Sequence, residues 1–119
     1  MLTPAHDAVV QRIENAARQF GRPAPVLLAV SKRQPAAAVA GLAAEGQRAF
    51  GENYVQEAAA KRAALADLTD VSWHLIGPLQ SNKTAVAAAT FDWVETVDRL
   101  KIAQRLSAQR PQGMAPLCV

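Results

Sequence analysis

Residues 26–30 read VLLAV, and this apolar run directly after Pro25 is the segment from which the fold can be inferred. A short apolar run that contains β-branched residues and is bounded by proline is typical of a strand buried on both faces. Residues 48–51, 71–76 and part of 91–97 have similar patterns. A helical pattern precedes the first of these segments and another follows each of them. The sequence therefore predicts an α/β fold with parallel strands joined by crossover helices.

Capping and breaking residues set the bounds of the first two predicted helices. Thr3 supplies a capping hydroxyl, Pro4 occupies the first helical position, and Gly21 ends this helix. Pro35 begins a second helix, which Gly46 ends.

Two side chains are placed to cap later helices. Asn53, with Gln56 three residues further along as in a capping box, is predicted to cap the third helix. A fourth helix is predicted over residues 81–89, and Asp98 is predicted to cap a fifth. Residues 117–119 resemble the beginning of another strand.

The composition is that of one globular domain. The chain has 119 residues, of which 50% are hydrophobic and 19% charged. Wholesale disorder is therefore excluded, and one domain is expected rather than two. The net charge is +3, with the basic residues spread along the chain. A nucleic-acid-binding surface would normally cluster them, so we expect no nucleic-acid partner.

Neither a membrane nor an oxidising compartment is indicated. The VLLAV run is far too short to span a bilayer, and residues 1–7 lack the layout of a signal peptide. Cys118 is the single cysteine and cannot form an internal disulfide. We therefore expect a cytoplasmic protein with no membrane partner. His6 and His74 are isolated in the sequence, so no metal site is predicted.

The order of elements leaves two architectures open, an open doubly wound sheet and a (β/α)8 barrel. In both, functional groups gather at the carboxyl ends of the strands. Lys32 follows the first strand, and alternation places it on the same face as Leu28 and Val30. Burial there would remove water from the ammonium group and favour the neutral amine, a nucleophile toward aldehydes.

For each candidate site residue, the pattern alone also allows a purely structural interpretation. The strand could end before Lys32, whose side chain would then extend into solvent, and the pattern slightly favours this alternative. Asn53 is either a polar group at the mouth of a site or a helix cap, with the cap favoured. His74 shares a strand face with Ser72 and Ile76, and alone it is better interpreted as a hydrogen-bonded core histidine. Together with Lys32 it makes a shared pocket plausible.

Residues 77–84, GPLQSNKT, nearly match the phosphate-binding loop G-x-x-x-x-G-K-[ST]. Asn82 stands where that loop needs its second glycine, and Pro78 removes an amide donor. We interpret the segment as a false match, which makes a nucleotide-binding module the weakest hypothesis. A simple anion site at the helix N-terminus stays open, although a plain capped helix is favoured.

The order of three motifs is more specific than any motif alone. LAVSK at residues 28–32, FGENYVQE at 50–57 and WHLIGPLQSNK at 73–83 resemble the pyridoxal phosphate homeostasis (YggS/PROSC-type) family. That family is related to the N-terminal barrel domain of alanine racemase. The resemblance continues through residues 91–100 and 109–111, so it covers nearly the whole chain from residue 26 onward.

The resemblance implies a (β/α)8 TIM barrel that holds pyridoxal 5′-phosphate (PLP) as a Schiff base on Lys32. Asn53 and His74 fall on motif positions that line the cofactor site in the family. The implied function is intracellular PLP (vitamin B6) homeostasis. The protein would be a PLP carrier and not an enzyme, so no residue is assigned a catalytic role. Apo PLP-dependent enzymes are the implied acceptor partners, and the full-length protein is expected to be a monomer.

The resemblance also bears on length, because a complete barrel requires on the order of 250 residues. Residues 1–119 are therefore expected to be the N-terminal half of a single barrel domain, with its first four to five β-α units. The family's phosphate-binding segments lie in the other half. A PLP-dependent amino-acid racemase and an inactive barrel fragment are the alternative functions.

Overall fold

The computed structural model describes residues 4–119, so the predicted capping role of Thr3 lies outside the described residues. The elements alternate as predicted. They are α1 (Pro4–Gln19), β1 (Ala29–Val30), α2 (Ala36–Ala44), β2 (Ala49–Glu52), α3 (Val55–Ala64), β3 (Ser72–Leu75), a short 3₁₀ helix (Ser81–Lys83), α4 (Thr84–Thr90), β4 (Trp93–Val94) and α5 (Leu100–Gln109).

The four strands form one parallel sheet in the order β1-β2-β3-β4. A doubly wound sheet reverses its order partway, whereas a barrel adds each strand beside the previous one. The sequential order is therefore that of a partial barrel, which confirms the expected fold class. Trp93 also forms a parallel bridge with Cys118, so the chain begins a further strand beside β4, as residues 117–119 predicted.

One face of the sheet carries the core. The side chains of Phe50, Trp73, Leu75 and Val94 are buried there under the helices. Helices α3, α4 and α5 pack side by side, in chain order, along this layer. The hydrophobic core is thus a single layer between the sheet and its crossover helices.

The opposite face, called here the inner face, is open. The prediction that β1 is buried on both faces is wrong, because Val26 is 86% exposed and Val30 is 52% exposed. No helix among residues 4–119 covers this face. The strand is also shorter than residues 26–30. The side-chain amide of Gln47 donates to the backbone oxygen of Leu27 (2.7 Å) and so takes the place of a backbone ladder bond there.

The side-chain caps predicted for the third and fifth helices are both wrong. α3 begins at Val55 with Tyr54 as its capping residue, and that cap has no side-chain hydrogen bond. α5 begins at Leu100, again without a side-chain cap. The carboxylate of Asp98 pairs instead with Arg99 (3.1 Å). Both helices begin one residue later than the cap pattern implied. The side chains of Asn53 and Asp98 therefore lie one position too early to accept hydrogen bonds from the first free amides of these helices.

The one-sided core predicts unequal effects of truncation on the two faces. We expect Leu75→Ala to lower the free energy of unfolding by about 3 kcal/mol, because it removes a fully buried side chain and leaves a cavity. Val30→Ala on the inner face should change it by less than about 0.5 kcal/mol. Urea denaturation followed by circular dichroism measures both, and equal losses would contradict a one-sided core.

Candidate functional site

The carboxyl edge of the sheet holds two of the three residues proposed from the sequence. Val30, Gly51 and His74 lie in one row of the parallel register. Lys32 and Asn53 each lie two residues further along the chain, at the edge. His74 therefore lies one layer deeper, about 6.6 Å toward the amino ends of the strands at ~3.3 Å per residue.

Lys32 lies in a turn directly after β1 and is exposed. The turn is closed by a hydrogen bond from the Gln34 amide to the backbone oxygen of Ser31 (3.0 Å). The strand thus ends before Lys32, as the structural alternative supposed, and the lysine is not desolvated among apolar residues. An exposed amine at this edge is accessible to a ligand entering from solvent.

Asn53 differs from a capping asparagine in what its side chain contacts. Its Oδ1 is buried and has no hydrogen-bond partner among residues 4–119. A cavity of about 320 Å³ adjoins it, lined also by Tyr54, Pro78 and Lys83. An unpaired buried acceptor costs roughly 1–3 kcal/mol, and a donor supplied by a ligand would remove that cost.

Gly77 is what lets the next loop pass close to Asn53. A Cβ atom at Gly77 would lie 2.5 Å from the backbone oxygen of Asn53. The Thr96 hydroxyl donates to the Gly77 oxygen (2.7 Å) and holds the loop from the other side. The ends of β2 and β3 are therefore packed backbone to backbone at the site.

His74 is held on the inner face by partners on both ring nitrogens. Its Nδ1 lies 2.6 Å from Oε1 of Glu95, and its Nε2 lies 3.0 Å from the hydroxyl of Ser72. The ring stacks on Trp93, with centroids 5.4 Å apart and planes at 6°. His74 is therefore part of a rigid wall of the inner face. Glu95 and Trp93 were missed by the sequence analysis, since only the strand register shows that they lie beside His74.

A buried ion pair lies behind the Lys32 turn, on the helix-facing side of the sheet. Lys61 Nζ contacts the Glu52 carboxylate at 2.9 and 3.1 Å. The Glu52 side chain is 0% exposed and that of Lys61 is 8% exposed. Lys61 Nζ also donates to the backbone oxygen of Ser31 (2.6 Å), and the Ser31 hydroxyl donates to Glu52. The sequence analysis missed this pair, whose only signal was a lysine on the apolar side of α3, three residues after Ala58.

Glu57 extends the ion pair toward the surface. Its carboxylate lies 3.1 Å from Lys61 Nζ and accepts a hydrogen bond from the Arg33 amide (2.7 Å). Burial alone would raise the pKa of Glu57. The hydrogen bonds from Lys61 and the Arg33 amide, with the positive charges of both residues, outweigh burial and lower this pKa below its ordinary value.

The segment at residues 77–84 is built as a helix start and not as a nucleotide cradle. The Thr84 hydroxyl donates to the backbone oxygen of Ser81 (3.0 Å) and accepts from Arg105 Nε (3.2 Å). Thr84 is fully buried, so its hydroxyl is not available to a metal–phosphate group. This geometry agrees with the interpretation of the motif as a false match.

Neither a metal-ligand cluster nor a membrane-spanning helix occurs among residues 4–119. No group of three or more His, Cys, Asp or Glu side chains in this range is placed to hold a metal ion. None of the helices described is long and apolar enough to cross a membrane.

Comparison with known proteins identifies a family and PLP-related relatives. Residues 5–119 match the model of the alanine racemase N-terminal domain. The chain is 62% identical over 113 residues to the pyridoxal phosphate homeostasis protein of Pseudomonas aeruginosa, a match that covers 93% of this chain and 49% of that protein. It is 51% identical over 115 residues to the protein of that name in Escherichia coli K12, with the same coverage.

Solved structures give a consistent result. The chain is similar to PipY of Synechococcus elongatus, solved with PLP bound, with a TM-score of 0.68 and 48% identity. That match covers 82% of this chain and 47% of PipY. The chain thus spans about half the length of the curated relatives that it matches.

The contact between Gly77 and Asn53 predicts that Gly77→Ala is destabilising. The added methyl group would meet backbone atoms that cannot rotate away, so we expect a loss of roughly 1–3 kcal/mol in the free energy of unfolding. Gly41→Ala is the matched control, since it lies in α2 and, beyond its chain neighbours and the backbone of its own helix, no atom lies within 4 Å of its Cβ position. That variant should gain roughly 0.5–1 kcal/mol. Similar values for the two variants in urea denaturation would refute the close contact.

The lowered pKa of Glu57 predicts a pH dependence of stability. Between that lowered value and the ordinary one, the folded state binds fewer protons than the unfolded chain. The stabilisation by Glu57 is therefore complete above the ordinary value and is lost as pH falls through the lowered one. As pH falls from about 6 through the ordinary glutamate pKa and below it, wild type should lose stability more steeply than Glu57→Gln. Asp67→Asn, an exposed site, should keep the wild-type slope. Parallel curves for wild type and Glu57→Gln would contradict the pKa direction.

Proposed function

The chain belongs to the alanine racemase N-terminal domain family, and on that premise we propose that it binds PLP and serves in intracellular PLP (vitamin B6) homeostasis. The observation that carries this proposal is the exposed Lys32 at the same sheet edge as the unpaired Oδ1 of Asn53. The names of the relatives and the PLP-bound PipY structure support it.

Lys32 is proposed to hold PLP as a Schiff base. Its uncharged Nζ adds to the aldehyde carbon, a C=N bond forms, and the aldehyde oxygen leaves as water. This bond is reversible, so the amount of free aldehyde stays low while the cofactor remains transferable. The exposure of Lys32 at the open edge supports this role because both cofactor and water can reach Nζ.

Asn53 and His74 are proposed to act on the cofactor in different ways. Asn53 Oδ1 lacks a donor and would accept a hydrogen bond from the cofactor, for example from its 3-hydroxyl. His74 lies one layer deeper with both ring nitrogens engaged, so it would form the wall of the pocket. We therefore assign Asn53 a direct contact and His74 a supporting one.

Residues 1–119 are proposed to be the N-terminal half of one PLP-binding barrel domain. The support is the sequential parallel sheet, with a further strand begun at Cys118. The coverage of about half of each relative agrees with this. The open inner face would then be the interior of the barrel.

The protein is further proposed to be a cytoplasmic PLP carrier and not an enzyme, with apo PLP-dependent enzymes as its acceptors. Its relatives are named for homeostasis and not for a reaction. A racemase would need a second acid–base group on the opposite face of the cofactor. Tyr54, the single tyrosine, is about half exposed at the start of α3 and lines the cavity beside Asn53, but the proposal gives it no acid–base role.

Lys32→Ala tests the covalent site. Wild-type protein mixed with PLP should show the absorbance of an imine at the edge of the visible range, and borohydride should fix a pyridoxyl group on Lys32. The variant should lose both signals, while Lys101→Ala, on the exposed surface of α5, should keep them. Absorption spectra and peptide mass spectrometry provide the readout. A band that persists in Lys32→Ala would overturn the assignment.

A racemisation assay separates a carrier from an enzyme. With added PLP, the protein should leave L-alanine in its original configuration, because the proposal gives Lys32 no acid–base partner on the opposite face of the cofactor. Chiral chromatography measures the product. Formation of D-alanine in proportion to protein concentration would favour the racemase alternative.

A further inference from the structure

We propose that Glu52, Lys61 and Glu57 act as positioning residues, which fix the turn that carries Lys32 and so direct Nζ across the carboxyl edge of the sheet. This cluster, called here the turn clamp, does not touch the inner face. The proposal deepens the proposed function and rests on Lys32 being the site of covalent attachment.

The turn clamp binds the chain on both sides of Lys32. On the preceding side, Ser31 donates its amide to the Gly51 oxygen (2.9 Å) and accepts at its own oxygen from Lys61 Nζ (2.6 Å). The Ser31 hydroxyl adds a hydrogen bond to Glu52. On the following side, the Arg33 amide donates to Glu57 (2.7 Å). Lys32 is thus the residue between two anchored neighbours.

The conformation of the turn explains why such anchors are needed. Arg33 has φ of 62°, the single residue outside glycine among residues 4–119 in the left-handed region. Residues with a Cβ rarely adopt this conformation, and it persists where the surroundings hold it. The hydrogen bond to Glu57 forms at the amide of Arg33 itself.

Lys61 connects the two anchors because its three N–H donors have three separate acceptors. These are Glu52, Glu57 and the backbone oxygen of Ser31. The burial of Glu52 and Lys61 makes this geometry rigid, since a charge left without its partner there is unfavourable. The charges of the clamp act on the turn and leave Lys32 Nζ itself free on the other side.

Selective labelling tests this positioning role. The chain has four lysines, Lys32, Lys61, Lys83 and Lys101, so one sample reports the ratio of pyridoxyl labelling at Lys32 to that at Lys101. Wild type, Glu57→Ala, Glu57→Gln and Lys61→Met are mixed with PLP, reduced with borohydride and mapped by mass spectrometry. We expect Glu57→Ala and Lys61→Met to lower the ratio by at least about fivefold, because a misplaced reactive group reacts more slowly. Glu57→Gln keeps an acceptor for the Arg33 amide and should retain most of the ratio.

Arg62→Met is the matched control for general destabilisation. Arg62 is the neighbour of Lys61 on α3, but it pairs with the Thr90 oxygen and Asp92, away from the turn. This variant should keep the wild-type labelling ratio. An equal fall in Arg62→Met, or an unchanged ratio in folded Glu57→Ala, would overturn the positioning role.

Amide hydrogen exchange on the ligand-free chain separates this proposal from the proposed function. Glu57→Ala should speed exchange at the Arg33 amide at least about tenfold, since it removes the acceptor. If the Arg33 amide exchanges as fast in wild type as in Glu57→Ala, the turn clamp is refuted, whatever the labelling ratio shows. Wild type could instead show a protected Arg33 amide but no more pyridoxyl labelling at Lys32 than at Lys101. That result would refute Lys32 as the attachment site and leave the turn clamp with a structural role alone.

Discussion

The buried pair of Glu52 and Lys61 is the interaction on which the arrangement of the site depends. Glu52 is the last residue of β2, and Lys61 lies two turns into α3. Through the contacts of Lys61 and Glu52 with Ser31, the pair joins the end of β1 to the next β-α unit. Because β1 has two paired residues, its backbone ladder alone holds it weakly. Side-chain hydrogen bonds therefore help to hold the first strand in position.

The two faces of the sheet have different roles in this region. Side chains that point toward the helices make the core and, at the carboxyl edge, the ion pair. Apart from the buried Ala49, side chains on the inner face are half-buried or exposed and include His74 with Glu95. The alternation of a strand places these two sets one residue apart. Consecutive residues therefore have different roles: Gly51 leaves room for the side chains of Leu28 and Ile76, Glu52 forms the ion pair, and Asn53 lies at the candidate site.

The sequence predicted the order of helices and strands well, but it predicted the contacts of the polar side chains poorly. Apolar runs, prolines and glycines are local signals, so Gly21 and Gly46 end helices as predicted, with φ of 63° and 110°. The cap assigned to Asn53 failed because α3 begins at Val55, one residue later than the pattern implied. The role of Lys61 was missed because two of its partners, Glu52 and the backbone oxygen of Ser31, lie outside α3. The resemblance to a family implied site roles for Lys32, Asn53 and His74, where the pattern alone favoured structural ones.

The separation of the two faces also affects which substitutions this fold can accept during evolution. The layer that stabilises the fold, with Phe50, Trp73 and Leu75, shares no side chain with the inner face. Substitutions on the inner face should therefore change the surface offered to the proposed ligand at a small cost in folding free energy, whereas core substitutions act first on stability. Such a chain can accumulate new specificities by drift on one face while selection preserves the other. The clamp behind the lysine is the exception, since there a loss of stability and a loss of function come from the same atoms.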